Sequence, residues 1–244
     1  MKSSARQHRA HAWDDVIDDE IRAIAGDYES RRGFGDRPAL LCIDNYNAVF
    51  GDKPEPVLQS MKRFPSSCGL AAWNAIEPTR KLMAAARRAG IPVIHTTNIA
   101  VLPASVRKAT PTKRHKTKRH RTSGDPHWNA THFSRLAPLP SEIVIEKLRA
   151  SAFYGTPLSA YLVQLGVDTL ICCGNSTSGC VRATVVDGFN AGYRVGVAEE
   201  CVFDRNWLSH KVNLLDMHCK YADVIFLDEA LEYIRRSGKP GEAA

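Results

Sequence analysis

Six short, largely apolar runs constrain this chain more than any other feature: residues 39–43, 92–96, 142–146, 168–173, 193–198 and 223–227. In 39–43 and 168–173 the apolar residues follow one another instead of alternating with polar ones. That is the pattern of a strand covered on both faces. Helical segments separate the runs. Pro78 suits the first turn of a helix that runs to Arg88 and stops at Gly90. Thr156 and Pro157 open another, with Leu158, Tyr161, Leu162 and Leu165 as its buried face. A third starts at Cys180, turns Val181, Thr184, Val185 and Phe189 to one side, and ends near Gly192. Ser209 is placed to cap a fourth, and 229–235 forms the last. Alternation of this kind predicts an α/β fold, a three-layer α/β/α Rossmann-like domain on a six-stranded, mainly parallel sheet.

The domain is expected to span 36–236. Ahead of it, Trp13, Val16, Ile17, Ile21 and Ile24 recur at helical spacing, predicting an amphipathic helix within a 1–35 extension that packs on the domain or on another subunit. Residues 98–140 form a long excursion and 237–244 a tail. No run is long and apolar enough to cross a bilayer, and the first residues lack the apolar core of a secretory signal. The seven cysteines show no CxxC pair and no Cys/His spacing for zinc, which suits reduced thiols in a cytoplasmic protein. The formal charge of +7 is local: 107–121 holds eight Lys or Arg, and 7 − 8 leaves −1 elsewhere. A basic run can bind nucleic acid, but no aromatic interleaves these charges, so a solvated mobile insertion is the expectation.

Ligands of an open parallel sheet bind beyond the carboxyl ends of its strands. Three reactive groups fall at such ends: Asp44 after the first run, Lys147 after the third, and Cys180 after the turn that follows the fourth. Each alone has an ordinary use, as a turn cap, an edge charge or a small buried hydrophobe. Together they supply a base, a cation and a nucleophile. The carboxylate can take the thiol proton, and the ammonium can lower the thiolate pKa. The turn 174–179, GNSTSG, lets backbone approach a ligand, and the helix start offers N–H groups to an oxyanion. The same turn has the glycine spacing of a phosphate loop, but Cys180 replaces the required lysine. A serine nucleophile at Ser176, served by Asp204 or Asp216 and by His210 or His218, would leave Asp44 and Lys147 unexplained.

PALLCIDNYN, IEKLRASAFYGTPL and GNSTSGCVRATVVDGFNAGYRV resemble, in order, three blocks of the isochorismatase-like cysteine hydrolases. The resemblance runs from about 36 to 227. Through CGLAAWNAIEP and SGCVRAT it is strongest to the N-carbamoylsarcosine amidase branch. It implies a Cys180–Asp44–Lys147 triad and a cis peptide at Ser176–Thr177, with Gly179 and Cys180 N–H groups beside it as the oxyanion hole. It also implies a homo-oligomer, a tetramer, with no cofactor. The activity implied is hydrolysis of a linear C–N bond in a small amide or carbamoyl compound through a thioester or thiocarbamate. N-carbamoylsarcosine, biuret, maleamate and ureidoacrylate types all remain open, and a non-enzymatic nucleic-acid protein is the distant alternative. Arg205 and Asn45, each just past a strand end, are the substrate-binding candidates; Arg205 would grip a carboxylate, or else pair with Asp204, Glu199 or Glu200. The nicotinamidase branch of the family also carries a metal-binding Asp-x-His motif; none is read in this chain, so no metal is expected.

Overall fold

The computed structural model describes residues 9–26, 30–109 and 125–238. Its strands are β1 (Pro38–Ile43), β2 (Val93–Asn98), β3 (Ile143–Lys147), β4 (Thr169–Asn175), β5 (Arg194–Phe203) and β6 (Asp223–Ile225). Its helices are α1 (Asp19–Gly26), α2 (Asn47–Phe50), α3 (Val57–Ser60), α4 (Leu70–Arg88), α5 (Ala104–Ala109), α6 (Pro126–Ala130), α7 (Leu158–Gln164), α8 (Arg182–Asn190), α9 (Trp207–Lys220) and α10 (Leu227–Ser237). The strands form one sheet in the order β3-β2-β1-β4-β5-β6. Every pairing is parallel.

The apolar runs are strands because both of their faces are covered. In β1, Leu40 and Cys42 join a core with α4 and α10, while Ala39, Leu41 and Ile43 join a second core with α7, α8 and α9. β4 divides in the same way, Ile171 and Cys173 to one side, Leu170 and Cys172 to the other. Residues that alternate between two hydrocarbon layers must all be apolar, which is what the sequence shows. The order of strands reverses between β1 and β4, so their carboxyl ends diverge and leave a crevice.

Several local expectations are corrected. Trp13 does not begin a helix. Asp14 accepts from the His11 N–H and Asp18 from the Ile21 N–H, so these acids cap a turn and then α1, breaking the stripe in two. Trp13 is buried against the second core and stacked on His11, while Ile21 and Ile24 face solvent. Pro78 lies inside α4 and not at its start, because Ala72, Ala75 and Ile76 extend the buried face by two turns. On α7, Leu158 and Leu162 are buried but Tyr161 is exposed, as is Leu165 just past its end. Asn206, not Ser209, caps α9, accepting from the N–H groups of Leu208 and Ser209. β5 continues to Phe203 because its two acids are paired: Glu199 accepts from the Ala12 N–H and Glu200 from the Leu227 N–H. The excursion contains α5, α6 and a short 3-10 turn; residues 110–124, which include most of the basic run, lie outside the described residues.

Candidate active site

Asp44 follows β1 directly, and its φ of 54° is the only positive value on a non-glycine among the described residues. Aspartate tolerates this left-handed geometry better than most side chains, and such outliers gather at functional sites. Thr96 of β2 fixes the carboxylate: its hydroxyl donates to Asp44 Oδ1 at 2.7 Å, and its Oγ1 accepts the Asp44 N–H at 3.1 Å. Lys147, the last residue of β3, reaches across β2 and donates from Nζ to Asp44 Oδ2 at 2.7 Å. Its ammonium also donates to the Arg149 carbonyl at 3.2 Å. Both side chains are 1 % exposed, so each charge depends on the other. Burial works against the Lys147 ammonium, but Asp44 and Cys180 more than offset it and its pKa rises.

Cys180 comes to this pair from the far side of the crevice. β4 runs to Asn175, and a π-helical turn, Thr177–Val181, leads into α8. Cys180 sits in that turn, two residues before α8, and does not itself open the helix as expected from sequence; such turns recur at functional sites. Gly174 is required where β4 passes β1: a Cβ there would lie 2.0 Å from the Ile43 carbonyl oxygen. Asp44 and Lys147 both act on the Cys180 thiol through charge and hydrogen bonding. Burial, and then Asp44, push that thiol up to about 12, and Lys147 opposes them with less effect. The expected depressed thiolate pKa is therefore corrected: the resting group is a neutral thiol beside a carboxylate. Tyr46, also buried, is held well above its ordinary value by burial and by Asp44 and Cys180, so it too is neutral. His132 pairs in a β-bridge with Tyr46, and burial lowers its pKa against the pull of the Thr96 carbonyl and Asp44.

The cis peptide lies at Asn175–Ser176, one bond earlier than expected. Asn175 still pairs with Phe203, so the turn begins only at Ser176. The Gly179 N–H donates to the Ser176 carbonyl at 2.9 Å, as does that of Val181 at 3.1 Å, so Gly179 is engaged within the turn and not turned toward a ligand. Ser178 donates to Asp204, and Thr177 bonds to His210. His218 accepts from the Val224 N–H. No Ser–His contact for a serine nucleophile forms at Ser176 among the described residues.

Arg205 makes none of its expected pairs with Asp204, Glu199 or Glu200. Its Nη1 donates to the Pro65 carbonyl at 2.9 Å and its Nη2 to the Ser66 carbonyl at 2.8 Å, tying down the segment before Cys68. Asn45 is fully buried, and both amide atoms lack a hydrogen-bond partner among the described residues. Neither residue bonds to the triad. Two Asp-x-His sequences do occur. Asp125 caps α6 through the His127 N–H, and Asp216 pairs with Arg182, so each acid is already occupied. Among the described residues no cluster of three metal-ligating side chains exists. Clefts of about 380 and 470 Å³ open elsewhere, and neither is lined by Asp44, Lys147 or Cys180; reactive groups locate the site better than surface volume does. Sequence reasoning missed Thr96, Tyr46 and His132. Thr96 ended a predicted strand and Tyr46 stood two places after Asp44, so position carried a signal for both; nothing local marked His132.

The chain is similar to maleamate amidohydrolase of Pseudomonas putida, with 36% identity over 217 residues, 86% of this chain and 92% of that protein. It is 34% identical over 213 residues to N-carbamoylsarcosine amidase of an Arthrobacter species, covering 85% of this chain and 75% of that protein. The solved structure of N-carbamoylsarcosine amidase from Thermoplasma acidophilum aligns with a TM-score of 0.56 at 26% identity, over 79% of this chain and 97% of that one. The isochorismatase domain model matches residues 38–229. The chain belongs to the isochorismatase family.

Proposed function

We propose that the chain is a cysteine-dependent amidohydrolase that cleaves a linear C–N bond in a small amide or carbamoyl compound. The observation that carries this reading is the buried Asp44–Lys147 pair, at 2.7 Å, acting on the Cys180 thiol where the strand order reverses. A neutral thiol beside a carboxylate calls for general-base activation and not for a standing thiolate. Asp44 takes the proton as Sγ attacks the carbonyl carbon, and the hydrogen bond from Lys147 keeps the carboxylate aimed. We assign the N–H groups of Ser176 and Cys180 to the oxyanion that forms. The C–N bond then breaks, and the leaving nitrogen takes the proton from Asp44. A thioester or thiocarbamate remains on Sγ. Water attacks it, Asp44 accepts the water's proton, and the thiol is restored as the acid leaves.

The names of the relatives, maleamate amidohydrolase and N-carbamoylsarcosine amidase, support this substrate class. Ammonia release should be measured across maleamate, N-carbamoylsarcosine, ureidoacrylate and biuret, with Cys180→Ala beside the wild type. At least one compound should be hydrolysed, and the variant should lose nearly all turnover while folding normally. Ammonia release that survives Cys180→Ala would sink the proposal.

A further inference from the structure

The turn that carries Cys180 is held from outside the triad. Asp204 follows β5 directly and is 7% exposed. Its Oδ2 accepts two hydrogen bonds from Ser178, from the N–H at 3.0 Å and from the hydroxyl at 2.7 Å. Its Oδ1 accepts from the N–H of Asn206, the cap of α9, at 3.3 Å. One turn into α9, His210 Nδ1 lies 2.8 Å from Oγ1 of Thr177, a fully buried residue. Burial holds His210 below its ordinary pKa, with Asp204 and Glu199 pulling the other way, so the imidazole is neutral. The end of β5 and the start of α9 thus bracket the two residues ahead of Gly179 and Cys180.

Within itself the turn is already closed. Two N–H groups converge on the Ser176 carbonyl, and a Cβ on Gly179 would meet Ser176 Oγ at 2.6 Å. Those internal bonds set the shape of the loop. They do not set its tilt against the sheet, which depends on bonds to other elements. The charged acceptor of the bracket is the stronger kind, with both oxygens in use.

We propose that Asp204 and His210 are positioning residues: through Ser178 and Thr177 they set the direction in which the turn's N–H groups meet the carbonyl attacked by Cys180. The inference rests on the thiol chemistry proposed above. A displacement of about 1 Å at such a site can cost on the order of a hundredfold in rate.

Two reactions of the same thiol separate positioning from mere structure. p-Nitrophenyl acetate acylates Sγ: the carbonyl oxygen becomes an oxyanion, p-nitrophenolate leaves, and the thiol proton passes to Asp44. Iodoacetamide alkylates Sγ by displacing iodide from a saturated carbon, and no oxyanion forms. Asp204→Ala should slow acylation roughly 10- to 100-fold and leave alkylation within about threefold. Asp204→Asn, which keeps one acceptor oxygen, should recover part of the loss, and His210→Phe should act in the same direction more weakly. Should Asp204→Ala fail to fold, Ser178→Ala removes the hydroxyl bond alone and is read by the same pair of rates. Acylation that is unchanged in the folded variants, or that falls in step with alkylation, would overturn the inference. Acylation that survives Cys180→Ala would instead defeat the nucleophile assignment and leave the two failures distinguishable.

Discussion

Arg205 is anchored by two backbone carbonyls, a use outside the two weighed for it from the sequence. A guanidinium has five N–H donors, and the Pro65 and Ser66 carbonyls occupy one on each terminal nitrogen. The group is thereby fixed in place with donors left over, the condition under which a planar fork grips a carboxylate with little further ordering. We therefore keep the proposal that Arg205 selects carboxylate-bearing substrates. Arg205→Lys should raise KM for such a substrate by roughly 10- to 100-fold, the effect of a lost charged hydrogen bond, and should change KM for an uncharged amide far less. Steady-state kinetics on a matched charged and neutral pair is the check. Equal effects on both would leave Arg205 as a tie for the 65–66 segment alone.

Among the elements, β4 carries the tightest constraint. It lies beside β1 over six registered pairs, from Pro38↔Thr169 to Ile43↔Gly174, and the last pair is where the two chains diverge around the site. Gly174 has φ of 109°, which an L side chain rarely adopts, and a Cβ would collide with backbone that cannot rotate away. Gly174→Ala must move β1 or β4, and with it Asp44 or the nucleophile turn. A loss of about 3 kcal/mol or more is expected, beyond the usual range for overpacking by one methyl. Urea denaturation measures it. A midpoint within experimental error of wild type would show that the two strands can separate without penalty.

For the whole molecule, acid is the exposed flank. His95 is fully buried on β2, with Nε2 2.9 Å from Glu142 Oε2. Burial first, and then His132, lower its pKa to about 4, against the pull of Glu142. Burial works to raise Glu142, but Arg87, the Leu139 N–H and His95 outweigh it and hold that carboxyl at about 2. Between about 6.5 and 4 the unfolded chain binds a proton at His95 that the native chain does not, so stability falls as pH drops through this window. A gap of about 2.5 units corresponds to roughly 3 kcal/mol. Below about 4.5 the same sign applies to Glu142, which the unfolded chain protonates first. His95→Gln, which can still donate to Glu142, should flatten the fall in urea midpoint between pH 6.5 and 4.5. Parallel slopes for variant and wild type would assign the acid lability elsewhere.

Much of this protein is local, and local features are legible. Strands covered on both faces must be apolar throughout, so β1 and β4 stand out in the sequence; chain reversals beyond them mark where Asp44, Lys147 and Cys180 lie. The tertiary structure decided what depends on residues distant in the chain. Lys147 meets Asp44 only because β3 sits two strands away in the sheet, at a reach a lysine can span. The Cys180 thiol is neutral because enclosure and a neighbouring carboxylate outweigh one ammonium, a balance that no spacing encodes. Asp204 and His210 were visible as titratable residues but not as partners of Ser178 and Thr177, since that contact exists only once α9 packs beside the nucleophile turn. Apolar periodicity reports which face a residue turns to the core; it carries no information on which polar groups then meet across the sheet's end, because those distances are set by strand order and helix packing.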